Sequence, residues 1–158
     1  KNRKIPSIKP DVTYSFNWLD KATFEKCIVF LDELLKDKKI IPESTDIRTL
    51  KKAFDGSELN QPLAIKWCIR SKDKKHTSKS SLFYFIDKLS EMGFIDQISY
   101  HNRENSHKNY KRIELIFCDF KGAKFKNLPS SRAQSVDSNP LGQKQIDDII
   151  HLLPKSEN

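Results

Sequence analysis

The sequence of 158 residues predicts an α+β domain, because apolar residues follow two different periodicities along it. Apolar residues recur at helical spacing at about 21–37 and 78–92, which predicts two amphipathic helices. Apolar and polar residues alternate at 14–18 and 63–70, and this period of two predicts strands. Helix and strand patterns therefore follow each other along one chain, which is typical of the α+β class.

The first half of the chain supplies the first long helix and a shorter one. Asp20 is a suitable N-cap for the long helix, and Ser44 is a suitable N-cap for a short helix at about 45–54. Val29 and Phe30 lie off the main apolar stripe of the long helix, which predicts a contact on a second side. The stripe itself consists of Phe24, Cys27, Ile28, Leu31, Leu34 and Leu35.

The second half contains a helix followed by a predicted hairpin. Thr77 or Ser78 can cap the helix, and Gly93 ends it. Alternating residues at 95–100 and 110–118 predict two strands that pair over a charged loop, HNRENSHKN. Helix, strand, basic loop and strand are the second half of a winged helix-turn-helix. We therefore expect a winged-helix-like domain with a hairpin over 95–118.

The domain organisation follows from changes in composition. Residues 1–11 are basic with two prolines and are expected to form a flexible arm, while 12–120 form the winged-helix-like domain. Residues 121–140 are rich in Ser, Pro, Asn and Gln and predict a linker. Residues 141–158 predict a short amphipathic helix, which together with the linker makes a flexible C-terminal extension. This helix can dock on the domain or on a second copy of the chain, and the sequence leaves both open.

Two stretches of the domain resemble each other. Residues 14–41 and 63–95 each read as strand, helix and strand, with Trp18 or Trp67 near the end of the first strand. The extra length of the second stretch falls in its basic loop, 71–75. Two related strand–helix–strand units are one interpretation. The other is that amphipathic helices resemble each other by default.

The net charge of +8 is concentrated in the middle of the chain. Residues 66–126 carry 14 basic and 7 acidic side chains, a net of +7, whereas 1–65 and 127–158 carry +2 and −1. Clustered Lys and Arg gain affinity for polyanions by releasing phosphate counterions. The alternative is that surplus lysines serve solubility alone.

Signatures of catalysis and cofactor binding are absent from the sequence. It contains no G-x-G-x-x-G, no P-loop and no G-x-S-x-G motif, and its four glycines are too few for phosphate-cradling loops. His101, His107 and Cys118 lack a fourth ligand and the spacing of a zinc site. We therefore expect a protein that is not an enzyme and has no cofactor or metal.

The sequence predicts a cytoplasmic protein. No apolar run approaches the ~18 residues that a membrane span needs, and no basic-then-apolar leader is present. Cys27, Cys68 and Cys118 are far apart and lie among apolar residues, which predicts reduced, buried thiols.

A resemblance to a known family is carried by residues 77–95, which read TSKSSLFYFIDKLSEMGFI. Followed by a charged hairpin, they resemble the recognition helix and wing of bacterial winged-helix regulators of the MarR and ArsR type. Those proteins show a Ser/Thr-rich start, an apolar-x-x-x-apolar-Asp-x-Leu centre, a Gly and a hydrophobic pair. Here a predicted strand and a lysine-rich loop precede the helix, where the family has a helix and a tight turn. The tryptophan-plus-helix layout also resembles small accessory proteins of mobile elements and plasmids.

The resemblance implies a non-catalytic DNA-binding protein, either a transcriptional regulator or a replication or mobile-element accessory factor that binds duplex DNA through helix 78–92 and hairpin 95–118. Asp87 and Glu91 lie on the exposed helix face and would meet phosphate charge. They keep open a protein–protein adaptor with a winged-helix fold and no nucleic-acid binding. The candidate nucleic-acid-binding residues are Lys74, Lys75, Thr77, Ser78, Lys79, Ser80, Ser81, Tyr84, Lys88, Arg103, Lys108, Lys111 and Arg112.

Overall fold

The computed structural model describes residues 12–135 and 140–155, and the arm predicted for 1–11 lies outside them. The described residues form a mixed helix-and-strand domain, which confirms the predicted α+β class. None of its helices is both long enough and apolar enough to cross a membrane. The elements are α1 Phe24–Asp37, α2 Ile47–Phe54, β1 Ile65–Lys66, α3 Lys79–Glu91, α4 Arg103–Ile116, β2 Phe117–Cys118, α5 Leu128–Ser135 and α6 Gln143–Leu152.

The sheet is much smaller than the sequence predicts. β1 and β2 pair in parallel, with Ile65 opposite Phe117. The strand predicted over 63–70 is reduced to β1, and Ala64 directly before it adopts a positive φ of 54°. The strand predicted at 14–18 survives as extended chain with isolated antiparallel bridges. These short segments are buried through large side chains such as Trp18 and Trp67.

Both long helices form, but α1 begins at Phe24, and its N-cap is Thr23 rather than the predicted Asp20. In α3 the Ser78 hydroxyl caps the Ser81 N–H, and Gly93 ends the helix with a φ of +81°, a conformation that favours glycine. In α1 the predicted stripe faces the core, but Val29 and Phe30 are 45% and 37% exposed. The second-side contact predicted for these two residues is therefore not made within the described part of the chain.

The short helix starts later than predicted. α2 begins at Ile47, and the carboxylate of Asp46, rather than Ser44, accepts the N–H of Arg48. Asp46 also pairs with the Arg48 guanidinium at 2.8 Å. These hydrogen bonds from Arg48, followed by its charge, lower the pKa of Asp46 to about 2.

The predicted hairpin over 95–118 is wrong, because α4 occupies Arg103–Ile116. The Asn102 side chain caps this helix by accepting the N–H of Asn105. Its buried residues are Asn109, Arg112, Ile113 and Ile116, a spacing of i, i+3, i+4 and i+7 that is helical. Two members of this stripe are polar, so the alternation of Ile113, Leu115 and Phe117 dominated the prediction. Residues 95–118, all of which the structure describes, therefore do not form a wing.

A helix also lies inside the stretch predicted as a linker. α5 falls within 121–140, and Phe125 and Leu128 near its start are buried. The predicted C-terminal helix is present as α6, which contacts α1 and α3 of the same chain through residues such as Ile146 and Ile149. The described part of the C-terminal extension is therefore docked on the domain.

The segments around α1 and α3 are joined reciprocally. Before α1, the Leu19 N–H donates to the Phe94 carbonyl after α3 at 2.9 Å, and before α3 the Cys68 N–H donates to the Ile40 carbonyl after α1 at 2.7 Å. Two related strand–helix–strand units would pair in this way, although the repeat itself stays a prediction. The loop at 71–75 is the extra length of the second unit.

Candidate nucleic-acid interface

An open cleft of about 720 Å³ lies at the N-terminal end of α3. One wall is the loop that leads into α3, and the other is the turn that follows β2. We call it the basic cleft, and it is lined by Ser71, Lys72, Lys75, His76, Thr77, Ser78, Lys79, Ser80, Asp119, Phe120, Lys121, Ala123, Lys124, Phe125, Lys126, Ser131 and Leu141.

The first wall is a loop closed by its own polar groups. The Ser71 N–H donates to the His76 carbonyl at 2.8 Å, and the Asp73 carboxylate accepts the Ser71 hydroxyl at 2.6 Å and the Lys75 N–H at 2.9 Å. These hydrogen bonds, that of Ser71 first, lower the pKa of Asp73. The one acidic side chain of this loop is thus held by the loop itself, while Lys72, Lys74 and Lys75 are exposed.

The second wall is a tight turn built in a similar way. The Asp119 carboxylate accepts the N–H groups of Lys121 and Ala123 at 2.9 and 2.8 Å. Gly122 supplies the required positive φ of 93°. Asp119 therefore serves the backbone, and Lys121, Lys124 and Lys126 stand exposed around it.

Two hydrogen bonds tie the walls together. In the first, the buried Thr77 hydroxyl accepts the Phe120 N–H at 2.8 Å, while it donates to the Trp67 carbonyl at 3.3 Å. The Lys79 ammonium donates to the Lys126 carbonyl at 2.7 Å. Because these contacts join segments about forty residues apart, the relative position of the walls is fixed before any ligand binds.

The basic cleft and its rim hold most of the net charge of the protein. Residues 70–79 and 119–126 together carry eight Lys and Arg side chains against two Asp, a net of +6 out of +8. Both Asp residues already accept backbone N–H groups. A concave surface of one sign concentrates the electrostatic potential and attracts anions.

An aromatic ring lies among these cations. Phe120 is partly exposed in the cleft wall, and the Arg70 guanidinium lies 4.1 Å from the centre of its ring. The Lys121 ammonium is 5.6 Å from the same centre. The guanidinium is therefore positioned over the ring by a cation–π contact.

The structure brings only some of the predicted site residues together. Lys75, Thr77, Ser78, Lys79 and Ser80 line the basic cleft, and Lys74 lines an adjoining groove with Arg70 and Lys72. The prediction missed further lining residues, whose signal was the net charge of +7 over 66–126. These are Lys72, Phe120, Lys121, Lys124 and Lys126.

The side of α3 that was expected to face DNA is covered by other helices. Ser81 is fully buried and accepts the Trp67 indole N–H at 2.8 Å. The Tyr84 hydroxyl donates to Asp147 of α6 at 2.5 Å, and burial, followed by this contact, raises the pKa of Tyr84 to about 12. Lys88 lies in the last turn of α3, which places it at the other end of the helix from the cleft. Ser81 and Tyr84 therefore serve the fold.

Asp87 forms a salt bridge with Arg132 of α5. In the sequence analysis this carboxylate was an argument against DNA binding. It lies 2.7 Å from the Arg132 guanidinium, which in turn lies 3.7 Å from the centre of the Tyr100 ring. Burial raises the pKa of Asp87, and Arg132 opposes that shift. The Asp87 carboxylate is therefore engaged within the protein, and its charge is partly compensated by Arg132.

The four basic residues predicted on the hairpin lie on α4 instead. Arg103, Lys108 and Lys111 are exposed. Arg112 is only 6% exposed; its guanidinium donates to the Tyr14 carbonyl at 3.0 Å and to Asp96 at 2.9 Å. Arg112 is therefore a structural residue and is not available to a ligand.

Comparisons of the chain with protein-family models, with curated proteins and with solved structures found no match.

Proposed function

We propose that this protein is a non-catalytic DNA-binding protein with a regulatory or accessory role, and that it binds DNA through the basic cleft. The observation that carries the proposal is the concentration of +6 of the net charge in two short segments, held as facing walls of one cleft. Lysines placed in this way neutralise phosphates and release counterions, which is the main source of sequence-independent affinity.

The proposal does not depend on a winged-helix arrangement. The wing is missing, and the side of α3 is covered by α5 and α6. What remains of the predicted surface is the start of α3, where Ser80 adjoins Lys75 and Lys79, while the buried Ser78 hydroxyl already caps the helix. Contacts of this kind hold the phosphate backbone and carry little sequence information.

Charge reversal in the cleft tests the proposal. We expect Lys72→Glu/Lys75→Glu to weaken binding of a labelled mixed-sequence DNA about tenfold or more, because two phosphate contacts become repulsive. The matched control is Lys38→Glu/Lys52→Glu, which changes the net charge equally at exposed positions just after α1 and on α2. Fluorescence anisotropy at about 50 mM and about 200 mM salt measures both affinities.

Two results would count against DNA binding at this site. Absence of binding by the wild type at the lower salt concentration rejects the function. An equal loss in the cleft and control variants rejects the site, because it would show that only the total charge matters.

An exposed apolar pair favours a second candidate, the protein–protein adaptor. Val29 and Phe30 are neighbours on α1 and are 45% and 37% exposed, and adjacent exposed apolar side chains are a common feature of contact surfaces. The adaptor predicts no affinity for DNA at the lower salt concentration, so the same titration separates the two functions.

A further inference from the structure

We infer that the basic cleft binds single-stranded DNA and that Phe120 stacks against one of its bases. The inference rests on the proposed function and names the form of nucleic acid that this site takes. It is carried by three observations: the size of the cleft, the position of Phe120 in its wall, and the covered side of α3.

The shape of the cleft suits an unpaired strand. Its volume of about 720 Å³ lies in the range of about 300–1,000 Å³ in which proteins enclose ligands of small-molecule size. One or two nucleotides are ligands of that size, whereas a duplex is read by a helix or β-ribbon that protrudes into its groove. A concave site accepts a flexible strand and excludes the rigid double helix from its interior.

At this end of the molecule, the described residues form no protruding helix or β-ribbon that could enter a duplex groove. The side of α3 is covered through the contacts Tyr84–Asp147 and Asp87–Arg132, and the wing hairpin is replaced by α4. Exposed basic side chains on other helices include Lys108 and Lys111 on α4 and Arg48 and Lys52 on α2, and none of these four lines the cleft. A helix that reads a duplex groove would therefore have to come from one of those separate faces.

The chemistry of the cleft matches the two parts of a nucleotide. Lys72 and Lys75 on one wall and Lys121 and Lys124 on the other are placed for phosphates. Phe120 adjoins Lys121 in the second wall as a partly exposed π surface. The Arg70 guanidinium over its ring and the hydrogen bond from its own N–H to Thr77 hold it in position. A cationic groove combined with an aromatic ring is the arrangement that binds single strands with little sequence preference.

The experiment compares strand forms and Phe120 variants of the full chain. The probes are a labelled single-stranded dT oligonucleotide and a labelled mixed-sequence duplex of equal length, titrated at about 50 mM salt. We expect the wild type to bind the single strand at least about tenfold more tightly than the duplex. Phe120→Ala is expected to weaken single-strand binding about 5- to 100-fold, because base–aromatic stacking is lost, while duplex binding changes less than about twofold.

Two further Phe120 variants separate the loss of stacking from an effect on folding, and a variant of α4 tests the site. Phe120→Trp keeps an aromatic ring and is expected to retain single-strand affinity, whereas Phe120→Leu keeps apolar volume without a π system and is expected to lose it. Lys108→Glu/Lys111→Glu, on the exposed face of α4, is expected to leave single-strand binding within about twofold of the wild type.

The outcomes distinguish this inference from the proposed function. Equal or tighter binding of the duplex, or full single-strand affinity in both Phe120→Ala and Phe120→Leu, overturns the inference and leaves DNA binding in place. Loss of single-strand binding in Lys108→Glu/Lys111→Glu, with the Phe120 variants unaffected, overturns both the inference and the cleft as the binding site. No binding of either probe overturns the proposed function as well.

Discussion

At the scale of single residues, Arg112 shows how a basic side chain can be committed to the fold. Its guanidinium has Tyr14, Asp96 and Asn109 as hydrogen-bond acceptors and lies 5.2 Å from the centre of the Phe16 ring. It thereby ties α4 to the extended N-terminal segment of the domain. A buried guanidinium with several acceptors is a structural anchor, because leaving those acceptors unpaired is costly.

Replacing Arg112 tests this structural role. We expect Arg112→Met to lower the free energy of unfolding by about 2 kcal/mol, because it strips hydrogen bonds from a partly buried carbonyl and a partly buried carboxylate. Urea denaturation measures the change. Lys111→Met, at the exposed neighbouring position, is the control and should stay within about 0.5 kcal/mol of the wild type. Equal effects of the two changes would contradict the buried position of Arg112.

At the scale of elements, the pattern of apolar residues decides what the sequence reveals. α1 and α3 have wide stripes of large apolar residues, and both are predicted as helices; the bounds of α3 agree within one residue, and α1 begins three residues later than predicted. α4 buries Asn109 and Arg112 beside Ile113 and Ile116, so half of its stripe is polar and the periodicity of 3.6 is hidden. Tertiary hydrogen bonds compensate these polar groups, and a local pattern cannot show such partners.

A proline on the exposed face of α4 separates the helix from the predicted hairpin. Lys108 is exposed in the helix interior, and we expect Lys108→Pro to cost about 3 kcal/mol, because it removes a helical hydrogen bond and clashes with the preceding turn. Lys108→Ala is the control and should be neutral or slightly stabilising. Thermal and chemical unfolding measure both. If residue 108 lay in a hairpin loop, the proline variant would unfold much like the alanine variant.

Only one of the two walls of the candidate site could be predicted from the sequence. The loop at 71–75 and the start of α3 are one continuous segment, and five of the predicted residues from this segment line the cleft. The second wall comes from 119–126, which the predicted boundary at 120 divides between the domain and the linker. Its proximity depends on the parallel pairing of β1 and β2 and on the hydrogen bond from Phe120 to Thr77. Such long-range contacts leave no local signal.

At the scale of the whole molecule, the helices leave one end of α3 open and cover its side. α5 and α6 pack along α3, and the facing walls of the basic cleft gather most of the net charge at its N-terminal end. We therefore propose that DNA contacts the protein at this end of α3, and not on the exposed face of α4 or at the Val29–Phe30 pair of α1.

Mapping of backbone amides by NMR during titration with a single-stranded oligonucleotide tests that claim most directly. We predict that chemical-shift changes and line broadening concentrate in residues 70–80 and 119–126, and that they weaken as salt rises. Changes centred on 103–111 of α4 or on 29–30 of α1, or an unchanged spectrum at low salt, would contradict it.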